Sequence, residues 1–525
     1  MIRIDTYHIY AGVAELEPLF IKDAAKEIGV APITLKRWLL SGKVRDVTRD
    51  RNGWRIFTTD DIRRIKQHEH QTHEPSEELY LPGLKPKDHD KGYTFRDSAF
   101  NGNKKLPFHR WVPWIAGFSA EFVEDCFYKY LSNKSDTGIT VLDPFAGVGT
   151  TLVEGFLHGF NIVGFEINPY AYLACKVKLS ANRYDIQAVE KVLNNFIEFY
   201  RKREADETYT PRTPVPVGFN TRVPFYSPSV EKKVLVFFDF LANIKNIDIR
   251  DLFKVAFGTV MVSFSNYSYE PSLGRRSSSG KPDIEDAEVG DIIASKIRSM
   301  INDLEEFEEF HADTAKDIDS KIYNRSFFLA LDVCESDSID LLITSPPYLN
   351  NYHYLRNTRP QLQWLSLADD KVLRRAIENE SFGKYWQTVR DQDAIGLTFE
   401  LDQLNDKLEV LRQTNPQKGV YGGQGWANYA ATYFNDSFRF CKIVKKLLKP
   451  AGVAIVVIGN SILQGIEIKT DEIFADIGEL AGLKKKEIIL LRSKRTGSSI
   501  IDSTVRAGKT EGKPILYETA VVLTR

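Results

Sequence analysis

The stretch from Ile139 to Leu157 leaves little freedom in what the surrounding chain can become. Ile139-Thr140-Val141-Leu142 is a short β-branched run, and it leads into Asp143-Pro144-Phe145-Ala146-Gly147-Val148-Gly149-Thr150-Thr151. Leu152-Val153-Glu154-Gly155-Phe156-Leu157 then continues with helical spacing. Strand, glycine turn and helix in that order suit a nucleotide-type pocket, because the glycines let the backbone approach a ligand closely. The next strand, Asn161-Ile162-Val163-Gly164-Phe165, ends in Glu166, 23 residues after Asp143. A carboxylate at about that distance accepts hydrogen bonds from ribose hydroxyls.

A second motif lies far downstream. Ile339-Asp340-Leu341-Leu342-Ile343 reads as a buried strand, and Thr344-Ser345-Pro346-Pro347-Tyr348 follows it. Open α/β sheets bind ligands at the carboxyl ends of their strands. Two consecutive prolines stiffen the backbone and remove two N–H donors, which leaves carbonyls to be aimed at an external donor. The Ser345 hydroxyl adds an acceptor, and Tyr348 supplies a flat ring. Acceptors gathered around one point beneath an aromatic suit an exocyclic amine on a planar base. Ala451-Gly452-Val453-Ala454-Ile455-Val456-Val457-Ile458-Gly459 reads as another buried strand, and Ile488–Leu491 with Thr519–Leu523 as a final antiparallel hairpin. The predicted fold class is α/β, a doubly wound, seven-stranded sheet with helices on both faces.

The two motifs together resemble the amino methyltransferases of DNA, which use S-adenosylmethionine and methylate N4 of cytosine or N6 of adenine. Ser-Pro-Pro-Tyr is closer to the N4-cytosine branch than to the adenine branch, where Asp usually leads the motif. The resemblance covers roughly residues 93–525 and is specific at the two short motifs. It implies a Rossmann-like methyltransferase sheet in which Asp143, Phe145, Gly147, Gly149 and Thr150 wrap the S-adenosylmethionine and Glu166 holds its ribose. It also implies that Asp332, closing Phe327-Phe328-Leu329-Ala330-Leu331, ends a third strand near the adenine. Ser345, Pro346, Pro347 and Tyr348 would be the catalytic residues, Ser345 and the Pro346 carbonyl holding the target amine and Tyr348 stacking on the base. Trp111 and Trp114, just before the glycine motif, match either a segment closing over the cofactor or plain core. His353 is a tempting general base, yet an amine turned out of conjugation attacks directly and releases its proton afterwards to solvent. No Pro-Cys dipeptide supports a covalent thiolate route.

About 200 residues separate Asp143 from Ser345, far more than a minimal sheet needs. Residues 205–325 are therefore assigned to a helical insertion, a candidate target-recognition region. Within it, Ser263 to Lys281 is polar, aromatic and basic, with Arg275 and Arg276 at its centre. It reads either as a DNA contact or as a solvated loop. Alternative functions are an N6-adenine DNA methyltransferase, an RNA methyltransferase acting on guanine N2, and a DNA-binding regulator that senses S-adenosylmethionine.

The net charge of −1 offers no global argument for nucleic acid, so any basic surface is local. Segment 33–66 carries one: ten cations, Lys36, Arg37 and Arg55 among them, stand against four aspartates. Ile21 to Val30 is a short amphipathic helix closed by glycine, and Ala31-Pro32 opens a second that ends at Gly42. Arg51 to Phe57 resembles a hairpin centred on Asn52-Gly53, and Thr58 to Asp61 cap a last helix. This pattern is similar to the winged helix-turn-helix of the MerR type, which implies double-stranded DNA as partner, with Lys36, Arg37 and Arg55 as contacts. Residues 1–72 form that unit, 73–92 a polar, proline-punctuated linker beginning within 67–91, and 93–525 the methyltransferase domain.

Four cysteines without paired spacing, and His68, His70 and His73 dispersed among glutamates, predict neither disulfides nor a metal site. With no apolar run of membrane-spanning length and no signal-peptide pattern, the expectation is a cytoplasmic protein without a membrane partner. Association with a restriction or phage-defence system is implied by the family alone.

Overall fold

A computed structural model describes residues 21–28, 35, 38–39, 44–45, 47–48, 55–72, 95–96, 100–114, 117–132, 138–217, 219–269, 272–316, 318–350, 352–368, 370–495 and 515–525. The chain divides into two compact units, Met1–Gly92 and Tyr93–Arg525. Among the described residues no helix is long and apolar enough to cross a membrane.

In the first unit, helix α1 (Ile21–Ile28) and helix α2 (Thr59–Thr72) enclose a small core. Ala24, Ala25 and Ile28 meet Leu35, Leu39, Phe57, Ile62 and Ile65 there. The start of α2 is set by a reciprocal cap: Asp61 N–H donates to Thr58 Oγ1 at 3.2 Å, and Thr58 N–H donates to Asp61 Oδ2 at 3.1 Å. Gln67 to Thr72, read from sequence as the beginning of the linker, continue this helix. Lys36, Arg37 and the Asn52-Gly53 turn lie outside the described residues, and Arg55 is half-buried.

The second unit begins with helix α3 (Ala120–Leu131), whose N-cap Ser119 accepts from Phe122 N–H. Strand β1 (Thr140–Asp143), helix α4 (Thr150–Leu157), strand β2 (Asn161–Phe165) and helix α5 (Pro169–Leu179) follow. Next come helices α6 (Ile186–Glu204), α7 (Pro228–Leu241) and α8 (Ile247–Val260), the hairpin β3 (Tyr267–Tyr269) and β4 (Leu273–Arg275), and helix α9 (Val289–Phe310). Strands β5 (Ser320–Tyr323) and β6 (Ile339–Thr344) return to the sheet. Helix α10 (Gly423–Leu447) leads into β7 (Leu448–Gly459). The hairpin β8 (Ser461–Leu463) and β9 (Ile466–Ile468), helix α11 (Thr470–Leu480), and strands β10 (Lys484–Arg495) and β11 (Ile515–Thr524) complete the unit.

The main sheet has seven strands in the order β10-β11-β7-β6-β1-β2-β5. Five run parallel, and β11 pairs antiparallel with both neighbours. Every residue of β6 is buried, as a central strand covered on both faces requires. Alternation divides its side chains. Leu341 and Ile343 pack with Phe122 and Phe127 of α3, whereas Leu342 packs with Phe434 and Phe474 of α10 and α11. The strand order reverses between β1 and β6, where doubly wound sheets open a crevice at their carboxyl ends.

Two expectations need correction. The third strand is β5, whereas Phe327–Asp332 form a 3₁₀ helix. Phe327 and Ala330, three residues apart, are its buried positions, which fits a three-residue turn. Strand β5 is an edge strand with exposed polar positions, so it lacks the apolar alternation that reveals a strand. The insertion assigned to 205–325 thus overruns the sheet. Its helices are no separate body either, since Phe237, Phe253 and Phe257 share one core with Leu152 and Tyr170 of α4 and α5. The first part of the tract from Ser263 to Lys281 packs against the body: Tyr267 is buried, the Tyr269 hydroxyl donates to Asn357 O at 2.9 Å, and Asn357 Oδ1 accepts from Leu273 N–H, whereas Ser277 to Lys281 are exposed.

Candidate active site

The glycine turn owes its shape to two left-handed residues, Gly147 (φ 53°) and Gly149 (φ 87°). A side chain at Gly149 would meet Cys175 Sγ at 2.7 Å, and one at Gly147 would meet Trp114 Nε1 at 3.3 Å. Both positions therefore need glycine for backbone conformation and for space. Glu166 ties the turn to β2: its Oε2 accepts from Gly147 N–H and its Oε1 from Asn168 N–H, each at 2.7 Å. Burial pushes the Glu166 carboxyl up to about 7 against the pull of these amide donors. Asp143 Oδ1 accepts from Phe145 N–H at 3.0 Å and from Thr344 Oγ1 at 2.6 Å, and burial raises its carboxyl to about 6. That Thr344 bond joins the last residue of β6 to the last residue of β1, so the two motifs are held in one frame.

One cavity, enclosing about 1180 Å³ of space open to solvent, receives both motifs. Asp143, Phe145, Gly147, Thr150 and Glu166 line it from the glycine-turn side; Ser345, Pro347 and Tyr348 line it from the end of β6. Ser345 Oγ donates to the Tyr348 hydroxyl at 3.5 Å. Burial raises the Tyr348 phenol further, so the ring stays neutral. Gly149 does not reach the cavity and backs the turn against Cys175. Pro346 is buried and likewise absent from the lining. Asp332 is exposed at the end of its 3₁₀ helix, away from the lining, which removes the strand-end position expected for it. Arg275 and Arg276 lie on and after β4, away from this cavity.

The tryptophans separate in role. Trp111 is fully buried and donates from Nε1 to Asp303 at 2.8 Å, whereas Trp114 lines the cavity. His353 stacks on Tyr385, with Nε2 3.1 Å from Gln387 Oε1, and does not line the cavity. Sequence reasoning missed the far wall, made by Phe382, Tyr385, Tyr429 and Tyr433. Its one legible sign was the aromatic pair four residues apart on α10. It also missed Lys178, whose buried ammonium donates to Val148 O in the glycine turn at 2.8 Å. Burial lowers that amine to about 7.

The arrangement offers a deep crevice with carboxylates beside a glycine turn and an acceptor-rich, aromatic corner opposite. A family described as DNA methylase matches residues 22–176, a span that includes the glycine turn and stops before Ser-Pro-Pro-Tyr. The type II methyltransferase M.BsoBI of Geobacillus stearothermophilus is 24% identical over 440 residues, covering 76% of this chain and 83% of that protein. The type II methyltransferase M.AvaI of a Nostoc species is 24% identical over 427 residues, covering 76% and 84%. The type II methyltransferase M.MjaII of Methanocaldococcus jannaschii is 32% identical over 115 residues, 21% of each chain. The family match and the long alignments support an S-adenosylmethionine-dependent DNA methyltransferase, with S-adenosylmethionine as the methyl donor.

Proposed function

We propose that the protein transfers a methyl group to the exocyclic N4 amine of a cytosine flipped out of double-stranded DNA. The observation that carries this reading is the position of Ser345, Pro347 and Tyr348 just past the end of central strand β6, lining one cavity with the glycine turn. The pocket residues fit the cofactor. The absence of a side chain at Gly147 lets a ligand approach the turn closely, and Glu166 presents a carboxylate to the same space. Asp143 to Thr150 would wrap S-adenosylmethionine and Glu166 would accept from its ribose hydroxyls. When bound, the cofactor supplies a sulfonium methyl as electrophile.

The protein's own groups prepare the nucleophile. Ser345 Oγ accepts from the amine's N–H, which turns its lone pair out of conjugation; the Pro346 carbonyl, which the family resemblance implies as a second acceptor, does not line the cavity. Tyr348 stacks on the base and returns about 1–3 kcal/mol toward the few kcal/mol that flipping costs. The amine's proton leaves afterwards to solvent, so no base is required of His353.

The N-terminal unit is read as a winged helix-turn-helix that docks on DNA through Lys36, Arg37 and Arg55. The α1 and α2 packing and the cap at Thr58 support this. The type II names of the relatives support a place in a restriction–modification system. The test is to incubate the protein with unmethylated DNA and S-adenosylmethionine, digest to nucleosides and identify the product by mass spectrometry. N4-methylcytosine is expected. N6-methyladenine would overturn the cytosine assignment, and no methylated nucleoside from several diverse DNAs would overturn the DNA reading.

A further inference from the structure

Lys178 is 1% exposed and lies on α5, the helix that follows Glu166. Two residues of α5 reach the underside of the glycine turn. Cys175 fills the space that a side chain at Gly149 would need, and Lys178 Nζ donates to the Val148 carbonyl at 2.8 Å. That carbonyl lies outside the ladder of α4, where Val153 N–H donates to Gly149 O at 2.8 Å. A buried carbonyl needs a donor, and this lysine supplies it from 30 residues along the chain. The peptide between Val148 and Gly149 is thus pinned at both ends, its carbonyl by Lys178 and its N–H by Ala146 O at 2.7 Å. The turn's other N–H groups divide: Ala146 donates to Phe165 O and Gly147 to Glu166, whereas Val148 N–H has no partner among the described residues. Val148 lines the cavity and Lys178 does not.

A lysine is a costly way to satisfy one carbonyl. Burial lowers its amine to about 7, the like charge of Lys296 on α9 pushes the same way, and no carboxylate pairs with it among the described residues. Below its ordinary value of 10.5 the unfolded chain holds this proton more tightly than the folded one, so the amine works against the fold. For stability alone an apolar side chain of similar length is the better residue. We propose that Lys178 is a positioning residue for the methyl donor: from beneath the glycine turn it fixes the peptide between Val148 and Gly149, and so sets the backbone, Val148 N–H included, that closes on S-adenosylmethionine. The inference rests on the reading that this turn wraps the cofactor.

The test uses the full-length protein with Lys178→Met, which keeps the length and removes the donor, and with Lys178→Arg, which keeps N–H donors. Calorimetric titration reads the S-adenosylmethionine Kd, radiolabelled methyl transfer the two KM values, and denaturant unfolding at pH 7 the stability. For Lys178→Met the Kd and KM for S-adenosylmethionine are expected to rise about tenfold, the worth of one buried hydrogen bond, with the DNA KM within about twofold of wild type. Its unfolding midpoint is expected to equal or exceed wild type, since the buried charge is gone; a merely structural residue would lower it. Lys178→Arg is expected to recover most of the lost affinity. Wild-type S-adenosylmethionine affinity in Lys178→Met would overturn the proposal. So would a Lys178→Met protein that unfolds or loses both substrates alike, or a folded Lys178→Arg that recovers nothing. Glu166→Gln in the same titration separates this failure from that of the underlying reading. Wild-type affinity in both Glu166→Gln and Lys178→Met would remove the turn as the cofactor site, whereas weak binding in Glu166→Gln alone would overturn only the role of Lys178.

Discussion

Glu166 makes a prediction in which fold stability and cofactor affinity move in opposite directions with pH. Its two oxygens accept from Gly147 and Asn168 N–H, and burial raises its carboxyl from an ordinary 4.5 to about 7. A carboxyl raised in the folded state binds its proton more tightly there than in the unfolded chain. Its contribution to stability is therefore present below about 4.5 and is lost as pH rises through about 7. Cofactor binding has the opposite sign, because ribose hydroxyls are accepted by the ionised form. At one unit below its pKa about a tenth of the groups are ionised, and at one unit above about nine-tenths. The affinity for S-adenosylmethionine should therefore rise roughly tenfold between pH 6 and pH 8.

Glu166→Gln replaces one acceptor by an NH₂ group that faces a backbone N–H. The loss of a charge-assisted hydrogen bond, about 1.5–3 kcal/mol, should weaken cofactor binding by about 10–150-fold at pH 8 and abolish the slope. Asp143 and Lys178 titrate in the same region, at about 6 and about 7, so the variant rather than the wild-type profile assigns the effect. Calorimetric titration of both proteins from pH 6 to 8 measures it. A flat wild-type profile, or an equal slope in Glu166→Gln, would refute the reasoning.

Ser345→Ala should lower turnover about 10–100-fold, the worth of a hydrogen bond made to the reacting amine, while the S-adenosylmethionine Kd stays within about twofold; unchanged turnover in a radiolabelled methyl-transfer assay removes Ser345 from the mechanism. Asp303→Ala should destabilise the second unit by about 3–5 kcal/mol, since Arg110, Trp111 Nε1 and Phe108 N–H all donate to that buried carboxylate. Denaturant unfolding checks it, and a midpoint equal to wild type contradicts the network's importance. Lys36→Glu with Arg37→Glu should weaken DNA binding across sequences and flatten the log–log salt dependence by about 1.8, or about 0.9 for each phosphate no longer neutralised. An unaltered salt slope in filter binding would take these two residues off the DNA.

How much was legible beforehand is clearest strand by strand. Strand β6 is buried throughout and apolar at Ile339 and from Leu341 to Ile343, and both its existence and its central place follow from burial on both faces. Strand β5 runs along the sheet edge with exposed Ser320 and Lys321, so its sequence carries no apolar period. The apolar run just after it drew the reading to Phe327 instead, and with it Asp332. The cavity followed the same pattern. The glycine turn, Glu166 and Ser345 announce themselves by local chemistry, because each needs a particular residue type at a particular place in a turn or strand end. Phe382, Tyr385, Tyr429 and Tyr433 are ordinary core aromatics by type; Tyr429 and Tyr433 reach the pocket only through the packing of α10, and Phe382 and Tyr385 come to it from a separate segment about 40 residues earlier.

Local chemistry along the chain specifies the strand–turn–helix around Gly147, the strand end at Ser345, and the doubly wound α/β class. These depend on backbone conformation and on neighbours a few residues away. Tertiary structure decided which distant groups share a space. Thr344 reaches Asp143 across about 200 residues of chain, and Lys178 comes up beneath Val148. Hydrogen bonds and burial of this kind act over a few ångströms in space whatever the separation along the chain, so no local pattern of residues encodes them.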